Sequence, residues 1–242
     1  RDSLEALVDG QVALVGNPDS AALFAVRPDG MALDGTAAHA FARLDRRPRP
    51  ELAALPIGGS GAGPACFAAS TYAAGADTSS PGGRVWLLDH GGAAVAGWPP
   101  ALPTTVLTPP VIVGTYPDAL VFVGCADGLV YALGLDGSVA GVVEAVPAAR
   151  GAYAGRLAVT ANGSGGWRVA AGTGQGWVGV GTLDAPGGGA VVPADAGWPV
   201  RVAEDSTFAP DLLWLAFDGA SGGAEGVCGA GVSALVVHGA YR

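Results

Sequence analysis

The side chains that most often carry catalysis or metal binding are few in this chain and lie far apart. The three histidines are His39, His90 and His238, and none has a carboxylate or a cysteine at the spacing that a metal site uses. His90 lies in the turn sequence LLDHGG, His39 lies among small residues, and His238 follows a predicted strand. The sequence therefore predicts no catalytic or metal-binding histidine.

The cysteines also lack a functional pattern. Cys66, Cys125 and Cys228 have no Cys-x-x-Cys spacing and no neighbouring histidine, which argues against zinc. We expect buried free thiols, and a disulfide between Cys66 and Cys125 is the alternative. The odd number leaves at least one thiol unpaired within the chain.

Two glycine-rich segments have a superficial likeness to phosphate-binding or nucleophile loops. GGSGAG spans residues 58–63 and AGTGQG spans residues 171–176. Neither contains the lysine of a phosphate loop, and neither places Gly-x-Ser-x-Gly between a strand and a helix. WVGVG, a predicted strand, follows the second segment. We interpret both as connections between strands.

Carboxylates occur in scattered pairs, namely Glu204 with Asp205 and Asp184 with Asp195. Glycoside hydrolysis needs two carboxylates in one cleft, and the sequence does not place these together. We expect acidic turn residues. The NGS sequence from Asn162 fits both a glycosylation acceptor and an Asn-Gly hairpin turn, and the turn is the prediction.

The charge balance excludes one class of partner. Asp and Glu total 21 against 12 basic residues, all arginine, for a net charge of −9. A nucleic-acid binder needs a basic face, so we predict no nucleic-acid partner. The basic cluster RLDRRPRP contains Arg43, Arg46, Arg47 and Arg49 and is interpreted as a solvated loop; a phosphate or partner site is the alternative. No apolar run reaches the ~18 residues of a membrane span.

Internal repeats show how these residues must be positioned. Residues 120–141, LVFVGCADGLVYALGLDGSVAG, predict three strands joined by two Asp-Gly turns. Related copies span residues 12–33, 65–99 and 167–192. The high glycine content, 41 residues, fits many turns between short apolar strands.

A second repeated motif gives the period. GWPP at residues 97–100 matches GWPV at residues 197–200, a shift of one hundred positions that two blades of about fifty residues explain. We therefore predict an all-β fold, a β-propeller with four-stranded antiparallel blades, of which about four and a half are present. The predicted blades span residues 1–46, 47–105, 106–150, 151–203 and, in part, 204–242. The chain is expected to be part of a larger ring; an open array closed by a partner is the alternative.

The repeats resemble two propeller families. VFVGCADGLVYALGLDG, residues 121–137, is similar to the quinoprotein-like (PQQ-like) repeat, although Gly134 replaces its usual Asp and its docking Trp is absent. The GWP copies resemble extracellular FG-GAP/VCBS propellers, a likeness that implies calcium loops rich in Asp. The corresponding turns are VDGQ (residues 8–11), YPDA (116–119) and NGSGG (162–166), and they lack the six to eight oxygen ligands that calcium takes. We expect no metal and no cofactor.

The tryptophans are predicted to be structural. Trp98 and Trp198, in the GWP motifs, are expected to pack at blade junctions. Trp86, Trp167, Trp177 and Trp214 lie within predicted strands and are expected in the core or between blades, not on a sugar-stacking surface.

The sequence predicts a non-catalytic propeller module for protein–protein interaction or structural assembly. The two resemblances imply an extracytoplasmic location. Two alternatives remain, a quinone-cofactor oxidoreductase or another enzyme built on a propeller, and a carbohydrate-binding propeller. An enzyme would gather polar or metal-ligating side chains in the central channel, and a sugar binder would expose coplanar tryptophan rings.

Overall fold

The structure is a computed structural model that describes residues 6–8, 12–16, 21–26, 40–55, 66–72, 83–89, 91–184, 187, 190–203, 208–217 and 232–241. Five sheets follow one another along the chain. The first contains β1 (Ala6–Val8), β2 (Val12–Gly16), β3 (Ala22–Val26) and β4 (Ala42–Arg43). The second contains β5 (Pro48–Leu55), β6 (Cys66–Thr71) and β7 (Val85–Leu88).

The remaining three sheets are formed by the C-terminal half of the chain. The third contains β8 (Val111–Val113), β9 (Leu120–Gly124), β10 (Val130–Gly134) and β11 (Val139–Glu144). A short 3₁₀ helix (Ala148–Arg150) leads to the fourth, with β12 (Ala158–Ala161), β13 (Trp167–Gly172), β14 (Trp177–Leu183) and, beyond β15 (Val191–Pro193), β16 (Val200–Arg201). The fifth pairs β17 (Phe208–Phe217) with β18 (Val232–Tyr241).

Within each sheet the strands pair as antiparallel neighbours in chain order, as the repeats predict. One exception is β15, which leaves the fourth sheet and pairs in parallel with β11, Val142 opposite Val191. Pairing there satisfies backbone groups at the open edge of β11. The repeat at residues 167–192 predicts residues 191–192 in the fourth sheet, and this prediction is wrong because the strand pairs with β11 of the third sheet. The predicted blade boundaries remain a prediction.

The Asp-Gly turns form as predicted. Gly128 and Gly137 have φ angles of +82° and +81°, values that glycine adopts without a steric penalty. The preceding aspartates fix the turns through their side chains. Asp127 Oδ1 accepts the Leu129 N–H at 3.1 Å and Asp136 Oδ1 accepts the Ser138 N–H at 3.0 Å.

The core consists of apolar layers between consecutive sheets. All five residues of β9 are buried, because alternate side chains point to opposite faces and a neighbouring sheet covers each face. Val121 and Val123 pack towards the second sheet, and Leu120 and Phe122 pack towards the fourth. This burial on both faces explains the uninterrupted apolar sequence LVFVG.

Cys66 and Cys125 are buried in the layer between the second and third sheets, and neither forms a disulfide. The prediction of buried free thiols is confirmed for these two, and the alternative disulfide does not form. Burial, assisted by the nearby Asp127 charge, raises the pKa of Cys125 to about 12. Burial and the Asp89 charge also raise the pKa of Cys66. Cys228 lies outside the described residues.

The two GWP motifs fold into the same turn. The Trp98 N–H donates to the Val95 carbonyl and the Trp198 N–H to the Asp195 carbonyl, both at 3.0 Å. Gly97 and Gly197 have φ angles of +88° and +87°, and both Trp-Pro peptide bonds are cis. The surroundings differ, because a Cβ atom on Gly97 would lie 2.0 Å from the Asp136 carbonyl oxygen of the next blade, whereas one on Gly197 meets nothing within 4 Å.

We predict that Gly97→Ala destabilises the fold more than Gly197→Ala does. Both substitutions strain a left-handed backbone, at a cost of about 1–2 kcal/mol. Only Gly97→Ala also forces apart two backbones of adjacent blades. Urea denaturation should show a lower midpoint for Gly97→Ala than for the matched Gly197→Ala control. Equal midpoints would contradict the close contact between Gly97 and Asp136.

We also predict that Cys66 and Cys125 resist alkylation in the folded chain. Because the thiolate is the reactive species and both thiols are buried, iodoacetamide at pH 8 should modify each at least about 100-fold more slowly than in the unfolded chain. Mass spectrometry of the separate cysteine peptides measures this, with the guanidinium-unfolded chain as control. Labelling of either cysteine at the unfolded rate would show that the layer is open.

Candidate functional site

The turns lie at two opposite ends of the blades, because antiparallel strands reverse direction at each turn. In the third sheet residues 125–129 form the turn at one end, and residues 114–119 and 135–138 form the turns at the other. Contacts between sheets align these ends. The Tyr153 hydroxyl, from the segment that enters the fourth sheet, donates to the Gly128 carbonyl at 2.6 Å.

Arginines gather at one end of the described blades, which we name the arginine end. Arg43 pairs with the first residue of β3, Arg84 precedes β7, and Arg201 pairs with Trp177, the first residue of β14. All described arginines except Arg168 lie there: Arg43, Arg46, Arg47, Arg49, Arg84, Arg150, Arg156 and Arg201. The acidic residues Asp45, Glu51, Asp127 and Glu144 lie among them.

The clearest feature of the arginine end is a stacked group of three side chains. The guanidinium carbon of Arg150 lies 3.8 Å from the centroid of the Trp177 ring, and that of Arg201 lies 6.0 Å from it. Both distances allow cation–π attraction. Trp177 is half-buried and packs against the layer between the third and fourth sheets. The predicted packing role of Trp177 is confirmed, and the guanidinium of Arg150 also lies against its ring.

A second stacked group lies two sheets away, at the start of β5. Arg47 and Arg49 lie 5.3 Å and 4.6 Å from the centroid of Tyr72. Arg49 Nη2 donates to the Val106 carbonyl at 3.5 Å, and burial lowers the pKa of Arg49, opposed by Tyr72 and Glu51. The prediction of a solvated loop is therefore wrong for this part of RLDRRPRP. Pro48 pairs with Thr71 and the pairing with β6 resumes at Leu52, so Arg49 lies within β5 and not in a loop.

The opposite end, which we name the acidic end, carries aspartates in its turns: Asp89, Asp118, Asp136 and Asp184. Asp195, also on this side, accepts the Thr182 hydroxyl at 2.9 Å and lies 3.9 Å from Arg168. Asp184 accepts the Asn162 amide at 3.4 Å. Asp184 and Asp195 thus have separate partners, as expected of turn acids.

A groove of about 460 Å³ opens at the acidic end between two turns of the third sheet. Its floor includes the buried Ala119 and Leu120, and its rim carries Tyr116, Asp118 and Asp136. Tyr116 is 60% exposed. The Ser138 hydroxyl and N–H both donate to Asp136 Oδ1 and lower the pKa of that carboxyl, which favours its charged form.

Buried tyrosines hold the turn at residues 125–129. Tyr131 donates to Asp127 Oδ2 at 2.7 Å, and burial and this hydrogen bond raise the pKa of Tyr131. Tyr153 accepts the Val146 N–H at 3.3 Å in addition to donating to Gly128. Burial raises the pKa of Tyr153 as well, so both phenols stay neutral donors.

The remaining candidate residues either have the role that the sequence predicts or lie outside the described residues. The Asn162 turn forms as predicted, since Asn162 Oδ1 accepts the Ser164 N–H at 3.0 Å and the Gly166 N–H at 2.8 Å. Trp98 is buried between blades, and its Nε1 donates to the Leu135 carbonyl at 2.9 Å, which confirms its junction role. Trp198 packs against the layer that contains Leu212 of the fifth sheet. Candidates outside the described residues are His39, His90, residues 58–63, Glu204 and Asp205, and nothing is described of the His238 side chain.

Sequence reasoning missed the residues that the structure brings together. The sequence-based predictions give no role to Arg150, Arg201 or Tyr72, or to Tyr116 and Asp118 of YPDA. Each of these residues lies in a connection or at a strand end. One sequence signal could have indicated this group. Trp177 directly follows the turn in GQGW, and Arg150 directly precedes the predicted blade that contains it. Among the described residues, no group of three or more His, Cys, Asp or Glu side chains could hold a metal ion. That part of the chain also contains no helix long and apolar enough to cross a membrane.

Comparison with known proteins supports the fold alone. No protein-family model matches the chain, and no curated protein matches it. A crystal structure of BBS1N in complex with ARL6DN, soaked with mercury, superposes with a TM-score of 0.53 at 14% identity, over 96% of this chain and 61% of that one. The same complex soaked with lead gives a TM-score of 0.46 at 13% identity, over 79% and 49%. A computationally designed protein, Ika8, gives 0.46 at 13% identity, over 86% and 51%.

The BBS1N structure with the TM-score of 0.53 and the antiparallel sheets confirm the predicted β-propeller fold, since BBS1N is a β-propeller. The chain spans about half to three fifths of the length of the BBS1N chains it matches. The quinoprotein-like and FG-GAP/VCBS resemblances remain predictions.

We predict that Tyr153→Phe destabilises the chain by about 1–3 kcal/mol, because it leaves the buried Gly128 carbonyl without this donor. Tyr116→Phe, which removes an exposed hydroxyl, should change the free energy of unfolding by less than about 0.5 kcal/mol. Urea denaturation of both variants measures the difference. A Tyr153→Phe protein as stable as Tyr116→Phe would show that the hydroxyl does not hold the turn.

Proposed function

We propose that this chain is a non-catalytic, extracytoplasmic protein-interaction module, and that the groove at Tyr116 receives a basic side chain of a protein partner. The observation that carries the proposal is the rim of this groove, where an exposed aromatic ring and two carboxylates surround an apolar floor. Large exposed aromatic side chains of this kind are enriched among the residues that dominate protein interfaces.

The groove has the chemistry that an arginine or lysine side chain needs. Its aliphatic stem can lie on Ala119 and Leu120, as long cationic side chains do on apolar surfaces. The charged head can meet the Tyr116 ring through cation–π attraction and the Asp118 and Asp136 carboxylates through charge-assisted hydrogen bonds. An exposed carboxyl is ionised at neutral pH, and the Ser138 hydrogen bonds further favour the charged form of Asp136.

Long-range electrostatics favours the same partner. The chain has a net charge of −9, and the turns around the groove are acidic. Complementary potential raises association rates and selects against like-charged partners. The crystal structure of BBS1N in complex with ARL6DN supports the proposal in a general way, because it presents a similar propeller bound to a protein. The location is supported by the likeness of the GWP motifs to extracellular propellers.

We predict that a peptide acetyl-Gly-Arg-Gly-amide shifts the backbone NMR signals of residues 116–120 and 134–136. The glutamate peptide acetyl-Gly-Glu-Gly-amide should leave them unchanged, because it carries the opposite charge. The double variant Asp118→Asn with Asp136→Asn should abolish the shifts, and Asp184→Asn, at the same end but outside the groove, should keep them.

The same variants test the protein partner. Proteins retained by the immobilised wild-type chain should be lost by Tyr116→Ala and kept by Asp184→Asn, and the purified pair should bind at least about 10-fold more weakly with Tyr116→Ala. If no retained protein distinguishes these two variants, or if the arginine peptide produces no local shifts, the groove is not the interaction site.

A further inference from the structure

We propose that Gly134 is a positioning residue of the Tyr116 groove. Because position 134 has no side chain, the Asp136 carboxylate can stay on the groove rim, where it meets the cationic head of the ligand. Gly134 and Asp136 both line the groove. The inference rests on the proposed function, since it names what keeps one of the two rim carboxylates in place for a basic side chain. Gly134 itself acts only through Asp136.

A side chain at position 134 would need the space that the carboxylate occupies. A Cβ atom on Gly134 would lie 2.8 Å from Asp136 Oδ1 and 3.1 Å from Ser138 Oγ. Both distances are inside the ~3.5 Å at which non-bonded heavy atoms pack best. Asp136 Oδ1 is also the oxygen that accepts the Ser138 N–H at 3.0 Å and the Ser138 hydroxyl at 2.6 Å. The carboxylate is therefore held beside the glycine by Ser138.

The backbone around Gly134 is fixed on both sides and does not make room. The Gly134 N–H donates to the Ser138 carbonyl, and the Gly134 carbonyl accepts the Gly137 N–H, both at 2.9 Å. The same turn lies against the preceding blade, because a Cβ atom on Gly137 would overlap the Gly97 carbonyl oxygen. The flexible Asp136 side chain is thus the part that a larger residue at position 134 displaces, and its hydrogen bonds to Ser138 are lost.

A carboxylate in a fixed place serves a cationic ligand better than a displaced one. Its attraction for the ligand falls with distance, and fixing it in advance reduces the ordering cost of binding. The Ser138 hydrogen bonds also lower the pKa of Asp136, so the position of the carboxylate can be measured without a ligand. The alternative is that a side chain at position 134 would only fill the groove, since Gly134 lies opposite Leu120 of its floor.

NMR titration with acetyl-Gly-Arg-Gly-amide tests the proposal. Gly134→Ala should weaken peptide binding about 3-fold, the effect of losing one exposed ion pair. The matched control is Gly91→Ala, in the corresponding aspartate turn of the second blade, where a Cβ atom would lie 3.4 Å from Asp89 Oδ1. That distance is an ordinary contact, and Gly91→Ala should leave peptide binding unchanged.

A double-mutant cycle separates positioning from filling of the groove. In an Asp136→Asn background, which retains Asp118, Gly134→Ala should weaken peptide binding no further, because the charge that Gly134 positions is already absent. An equal loss of binding in both backgrounds would show that alanine fills the groove, and would overturn the proposal.

Carboxyl carbon-13 NMR during a pH titration reports the position of Asp136 directly. Gly134→Ala should raise the pKa of Asp136 towards its ordinary value, because the displaced carboxylate loses the hydrogen bonds that favour its charged form. Gly91→Ala should leave this pKa unchanged. Ser138→Ala, which introduces no clash, should raise it and weaken peptide binding as well, so the proposal stays testable if urea denaturation shows that Gly134→Ala is unfolded. An Asp136 pKa that neither Gly134→Ala nor Ser138→Ala raises overturns the proposal.

The outcome for the wild-type chain separates this inference from the proposed function. If the arginine peptide does not bind the wild-type chain, the proposed function is wrong and this inference is wrong with it. If the peptide binds wild type and folded Gly134→Ala equally well, only the role of Gly134 is contradicted.

Discussion

Burial of both faces of the middle strands is the constraint on which the rest of this structure depends. Val121 and Val123 of β9 contact one neighbouring sheet, and Leu120 and Phe122 contact the other. A blade enclosed in this way has no polar face along its strands. The polar side chains of the Arg150–Trp177 group and of the Tyr116 groove accordingly lie in turns, in connections and at strand ends, at opposite ends of the blades.

Buried polar groups hold the turns between strands, and such groups are stable in the core only when they form hydrogen bonds. Tyr153 reaches from the segment entering the fourth sheet to the Gly128 carbonyl, and Tyr131 holds Asp127. Trp98 joins the second blade to the third by packing and by its hydrogen bond to Leu135. Since buried polar groups need such partners, these contacts couple the shape of each functional end to the packing between blades.

The two GWP copies illustrate how one local motif acquires two environments. Gly97 and Gly197 adopt the same turn, yet Gly97 lies against Asp136 of the next blade. That contact places the second blade beside the turn that forms one side of the Tyr116 groove. Local sequence determines the turn through its glycine, whose φ is positive in both copies, whereas the order of the blades determines what the turn contacts.

The sequence alone predicts several features, because each depends on residues within a few positions or on apolar content. They are the strands, the Asp-Gly turns, the Asn162 turn, the buried thiols and the junction role of Trp98. It does not predict the parallel pairing of β15, the partial burial of Arg49, the Arg150–Trp177 group or the Tyr116 groove. Arg150 and Trp177, or Tyr116 and Asp136, meet only after separate strands have paired in register. A net charge of −9 likewise gave no sign of an arginine end. Composition sums charges over the chain, and only the alternation of turns between two ends separates them in space.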